Sequence, residues 1–132
     1  MTTQLHTVNE NDIVTKADNL FVQFGFHHLP VVDDDNSLKG ILSVTDVDKL
    51  KVGLSIFKDD DRREHNDALL RALMVEHVMT PDVIHIQENE TIQTAYALFK
   101  RNAFHAIPVL KGEELVGIVT PMDILSHFLE NV

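Results

Sequence analysis

The segment Phe26-His27-His28-Leu29-Pro30-Val31 returns 78 residues later as Phe104-His105-Ala106-Ile107-Pro108-Val109. Working back from it at the same offset, Leu20-Phe21 falls on Leu98-Phe99, Ala17 on Ala95, Glu10-Asn11 on Glu88-Asn89 and Met1-Thr2 on Met79-Thr80. Working forward, Asp33–Gly40 is matched by the shorter Lys111–Gly117, and an offset of 77 then puts Gly40-Ile41 on Gly117-Ile118 and Asp46 on Asp123. A register held across nearly the whole chain is a tandem repeat, and it decides the architecture before any single motif does.

Each repeat reads as strand, helix, strand, strand, helix. Short opening strands are expected around Leu5–Val8 and Val83–Ile86. Asn and acidic residues follow, offering cap chemistry to a first helix. Val14, Ala17, Leu20, Phe21 and Phe24, and in the second copy Ile92, Ala95, Leu98 and Phe99, share one face at a 3.6-residue period. Leu29–Val32 with Leu38–Leu42, and Ile107–Leu110 with Leu115–Val119, are apolar β-prone runs around polar turns, hence hairpins. Closing helices are expected from about Asp46 and Met122. Between the repeats, Lys58–Asn66 is a charged run read as a mobile loop, and Leu69, Leu70, Leu73, Met74 and Val78 predict a connecting helix over Ala68–Val78. The chain thus divides into repeat 1 (1–53), a charged loop and connecting helix (54–75), and repeat 2 (76–132). One such repeat cannot cover both faces of its own sheet with two helices. The expectation is an α+β fold of tandem β-α-β-β-α repeats with facing sheets and pseudo-twofold symmetry, burying Leu29, Val31, Ile41, Ile107, Val109 and Ile118.

Composition removes whole classes of function. Eleven Lys and Arg against 21 Asp and Glu leave a net charge of −10, which argues against nucleic acid as the main partner. No apolar run approaches a membrane span, and the N-terminus lacks the basic start and apolar centre of a secretory signal. Without cysteine there are no disulfides, thiolate metal sites or thiol nucleophiles, in keeping with a cytoplasmic setting.

Chemistry concentrates where each hairpin ends. Gly40-Ile41-Leu42-Ser43-Val44-Thr45-Asp46 and Gly117-Ile118-Val119-Thr120-Pro121-Met122-Asp123 share Gly, two aliphatics, a hydroxyl, two residues and Asp. That spacing puts a hydroxyl and a carboxylate at the first turn of a helix, where free N–H groups attract an anion and a carboxylate can accept a ribose diol. Hydroxyl-x-x-acid is equally the signature of a helix cap, and spacing alone favours the cap. The eight histidines show no His-x-x-x-His pair on one helix, and the acidic runs Asp33-Asp34-Asp35 and Asp59-Asp60-Asp61 lack an EF-hand spacing, so no metal site is expected. No nucleophile elbow or Ser/His/Asp signature is present, and the chain is read as not an enzyme.

Both repeats together resemble a cystathionine β-synthase (CBS) domain pair, the Bateman module. Val78-Met79-Thr80-Pro81 is similar to its opening motif, His28-Leu29-Pro30-Val31-Val32-Asp33 to its central strand, and Gly117–Asp123 to its nucleotide motif. The resemblance implies a regulatory module that binds an adenosine ligand (AMP, ADP, ATP or S-adenosylmethionine) in clefts between the repeats and controls a partner protein. It further implies that Asp46 and Asp123 hold ribose, that Ser43 and Thr120 contact phosphate or ribose, and that Thr80, Pro81, Val83, Ile84, Ala106 and Ile107 line an adenine slot. His27, His28 and His105 stand where the family often places a phosphate-facing base. Two imidazoles in the first repeat against one in the second favour a cleft built from Thr120 and Asp123 with His27 and His28 across it. No cofactor is required, though Mg²⁺ could accompany a nucleotide. Ile124, Leu125, Phe128 and Leu129 form an apolar stripe that points to a homodimer. Two other readings stand beside this one: a structural, oligomerising module with empty clefts, and a small hydrolase using Asp and His.

Overall fold

The computed structural model describes residues 5–52, 68–101 and 105–130. The charged run Lys58–Asn66 and Asp59-Asp60-Asp61 lie outside them. Two compact units divide the chain, one running from His6 to Asp82 and the other from Val83 onward.

In the first unit β1 (Val8–Asn9) leads to α1 (Val14–Phe24), β2 (His28–Val32), β3 (Leu38–Ser43) and α2 (Val44–Val52). Residues 68–72 are helical (α3), a 3-10 turn occupies Val75–His77, and β4 (Thr80–Pro81) completes a four-stranded sheet in the order β1-β2-β3-β4. The second unit repeats the plan with β5 (Ile86–Gln87), α4 (Ile92–Arg101), β6 (Ile107–Lys111), β7 (Glu114–Val119) and α5 (Pro121–Glu130), its sheet ordered β5-β6-β7. The opening strand of each unit runs parallel to the next, Val8 beside Val31 and Ile86 beside Val109, because a helix carries the chain back between them. The fold is mixed α+β, as expected, and among the described residues no helix is long and apolar enough to cross a membrane.

The hairpins set the core. Leu29 pairs with Leu42 and Ile107 with Val119, and cross-strand partners share a face, so these residues pack beneath the helices. Leu29, Val31, Ile107 and Val109 are buried as expected. Ile41 and Ile118 are only half-buried. They pair with Pro30 and Pro108 on the opposite face, and alternation gives their core places to Leu42 and Val119.

Other boundaries differ for local reasons. The connecting helix does not run to Val78: Leu73 O accepts the Val14 N–H at 2.9 Å, Met74 bridges Ile13, and Val75 N–H reaches Asp12 O at 2.8 Å. This segment completes the start of α1, whose N-cap, Ile13, makes no side-chain cap bond. Within the polar segment before that helix, Asn9 and Asp12 close a turn, with Asn9 N–H donating to Asp12 Oδ2 at 2.8 Å. In the second repeat Thr91 supplies an ordinary cap, accepting the Thr94 N–H on its Oγ1 at 3.3 Å. The closing helices begin at Val44 and Pro121, slightly earlier than read from the sequence.

The hairpin turns show how one residue is lost. In the first, Asp33 Oδ1 accepts the N–H groups of Asp35 (2.9 Å) and Ser37 (3.0 Å), and the Ser37 donor leads in holding this carboxyl below its ordinary value. In the second, Gly112 takes φ +64° and a two-residue turn suffices.

In the first repeat, packing of the sheet edge requires glycine at position 40. A Cβ there would stand 2.5 Å from the Thr80 carbonyl oxygen and 2.7 Å from Met79 Sδ, since β4 lies directly against β3. Gly40→Ala is therefore expected to lower stability by about 1–3 kcal/mol or more through a clash with backbone. Gly112→Ala has open space around it and loses only about 1 kcal/mol through its left-handed backbone. Leu42→Ala should cost about 2–5 kcal/mol and Ile41→Ala clearly less. Urea denaturation of the four variants checks both orderings.

Candidate functional site

At the end of β3 the chain turns straight into α2, and the two functional groups of the motif bond each other's backbone. Ser43 N–H donates to Asp46 Oδ2 at 3.0 Å, and Asp46 N–H donates to Ser43 Oγ at 3.0 Å. The second repeat copies this at the β7–α5 junction, where Thr120 N–H donates to Asp123 Oδ2 at 2.8 Å and Asp123 N–H to Thr120 Oγ1 at 3.3 Å. Both are reciprocal capping boxes, the arrangement that spacing alone favours. Each carboxylate also lies in the first turn of its helix, where the dipole favours negative charge. The box engages only Oδ2, leaving Oδ1 outside it. Capping and ligand binding thus make separable demands on one side chain. All four residues are half-buried, so the box is reachable from solvent.

The remaining candidates fall into two groups. In the first unit His28 pairs in register with Ser43, and His27 O accepts the Val44 N–H at 2.9 Å, so the backbone of both histidines adjoins the start of α2. His27 is exposed and His28 half-buried. Thr80 and Pro81 belong to this unit too, paired with Ile41 and Gly40 on the edge of its sheet. Asp82 follows with φ +52°, and Val83 and Ile84 open the second unit. There Ile107 pairs with Val119, one residue before Thr120, with Ala106 buried beside it and His105 exposed. Among the described residues no cluster of His, Asp or Glu is arranged to hold a metal ion. The steric demand on Gly40 arises from β4, a strand about forty residues further along the chain, and no local pattern signals it.

Comparison with known proteins follows the same geometry. The family described as CBS domain matches residues 1–53 and 75–130. The fold is similar to that of CBSX2 from Arabidopsis thaliana, with a TM-score of 0.81 and 25% identity over 99% of this chain and 92% of that one. The structure of CBSX2 in complex with AMP gives 0.78 and 25%, covering 99% of this chain and 93% of that one. In sequence, a CBS domain-containing protein of Dictyostelium discoideum is 30% identical over 98% of this chain and 88% of its own length. The homoserine O-acetyltransferase of Methanosarcina acetivorans is 27% identical over 97% of this chain, which spans only 21% of that enzyme. With the match recurring in both repeats, and the hairpin-to-helix junction built alike in each, the chain belongs to the CBS domain family as a pair of such domains.

Proposed function

We propose that this chain is a regulatory module that binds an adenosine-containing nucleotide at its strand–helix junctions and so controls a partner protein. The observation that carries the reading is the twofold occurrence of a hydroxyl and a carboxylate at a helix N-terminus, in a chain similar along 99% of its length to a protein whose structure was determined with AMP. In this reading Asp46 and Asp123 hold ribose hydroxyls through the carboxylate oxygen outside the box, and Ser43 and Thr120 contact ribose or phosphate. His27, His28 and His105 face phosphate, while Thr80, Pro81, Val83, Ile84, Ala106 and Ile107 flank the adenine. A net charge of −10 opposes an anionic ligand, so local basic residues or Mg²⁺ have to offset it. Turnover has no part in this function. The ligand acts by differential affinity for two states of the module, typically about 1–3 kcal/mol of coupling. The working form is a cytoplasmic homodimer.

The same charge, with both boxes already satisfied as caps, favours a second reading, a structural module without nucleotide. Thermal denaturation separates the two. AMP at about 100 times its dissociation constant should add roughly 2.7 kcal/mol, a rise on the order of 10 °C in melting temperature. Asp123→Asn keeps an oxygen for the Thr120 N–H, so the unliganded protein should melt within a few degrees of wild type. Its affinity for AMP and adenosine alike should fall by about 1.5–3 kcal/mol, roughly 10- to 100-fold, whereas His28→Ala should weaken AMP more than adenosine. If AMP, ATP and S-adenosylmethionine all leave the melting curve unmoved, the structural reading replaces the sensor.

A further inference from the structure

In the second unit α4 and α5 leave an apolar groove of about 470 Å³ between them. Its α4 wall is Tyr96, Phe99 and Lys100, at i, i+3 and i+4, and its α5 wall runs from Pro121 through Ile124 to Phe128, at i, i+3 and i+7. Ile124 is buried, whereas Tyr96 and Phe128 are 53% and 55% exposed, so the groove opens to solvent between those two rings. The first repeat finishes the same place differently. Its register puts Asp18 and Lys51 at the positions of Tyr96 and Phe128, and these two form an ion pair at 2.8 Å across the seam between α1 and α2.

Size and charge together define what fits. A concave, largely aromatic and aliphatic lining with a few polar groups at one edge is the make-up of a small-molecule site, and the volume lies within the usual range for one. At a rise of about 1.5 Å per residue, the α5 wall from Pro121 to Phe128 is about 10 Å long, the extended length of about eight methylene groups. Among the lining residues only Tyr96 and Lys100 carry polar side-chain groups, and at i and i+4 on α4 they are neighbours. No acidic side chain is among them, in a chain that has 21. The charge at the groove is therefore positive although the protein's is negative. An alkyl chain that ends in a carboxylate matches both features: the carboxylate accepts from the ammonium and the phenol, and the chain displaces water from the rings.

We propose that the α4–α5 groove of the second repeat binds a free fatty acid of about eight to twelve carbons, its chain along the α5 wall and its carboxylate on Lys100 and Tyr96. None of the lining residues belongs to the nucleotide site proposed above, so the two proposals stand or fall separately.

Calorimetric titration of the full chain with octanoate, decanoate and dodecanoate, each below its micelle concentration, tests it. Affinity should rise about threefold to fourfold per added methylene until the groove is filled. Lys100→Gln should weaken decanoate several-fold and leave decanol unchanged. Phe128→Gln should weaken both alike, and Asp18→Asn/Lys51→Gln should change neither. A cooperative melt checks that each variant folds, and Leu125→Gln on the same wall serves if Phe128→Gln does not. Absence of saturable binding by all three acids overturns the proposal, and is the result expected if a second copy of the chain covers this face. A decanoate affinity untouched by Lys100→Gln, or by the folded α5 variant, overturns it as well. Binding to phosphatidylglycerol vesicles without binding to dissolved decanoate would assign the groove to a membrane surface and overturn it too.

Discussion

The register between the two strands of each hairpin is the constraint on which the rest of this structure depends. Leu29 opposite Leu42, and Ile107 opposite Val119, put one set of side chains under the helices and the other set on the far face. A slip of one residue would exchange the two sets, placing Ile41 and Ile118 in the core and turning Ser43 and Thr120 away from their present face. The strand ends where the box begins, so this register also delivers a hydroxyl to the first turn of α2 and of α5. Core and site are two consequences of one hydrogen-bonding pattern.

On that common frame the repeats are finished differently. The start of α1 is completed from a distance by Leu73 and Val75, whereas α4 is capped by its neighbour Thr91. Thr80-Pro81 adds a strand to the first sheet, and only the absence of a Cβ at Gly40 lets that strand come so close. The segment after α3 therefore holds three things at once: the entrance to α1, the sheet edge, and the passage through Asp82 to the second unit. The first unit accordingly runs through Asp82.

In the proposed function the groups that stabilise α2 and α5 are also those that meet the ligand. Each Asp gives Oδ2 to its own backbone and keeps Oδ1 outside the box. A ligand on that outer oxygen would act on a side chain already tied to the helix start, so its binding energy would bear directly on the position of the helix. This is a short route from occupancy to packing, involving a single side chain per repeat.

The amino-acid sequence by itself determined the tandem repeat, the order of elements, the hairpins and the Ser43–Asp46 and Thr120–Asp123 pairs, because periodicity, turn chemistry and cap spacing are local and recur in both copies. It also made the family resemblance visible. Only the tertiary structure decided that Leu73 receives the first N–H of α1, that Thr80-Pro81 joins the first sheet, and that Leu42 and Val119 displace Ile41 and Ile118 from the core. Those are contacts between residues far apart in the chain, or choices between two faces of a strand apolar on both, and no local pattern contains the distance that settles them.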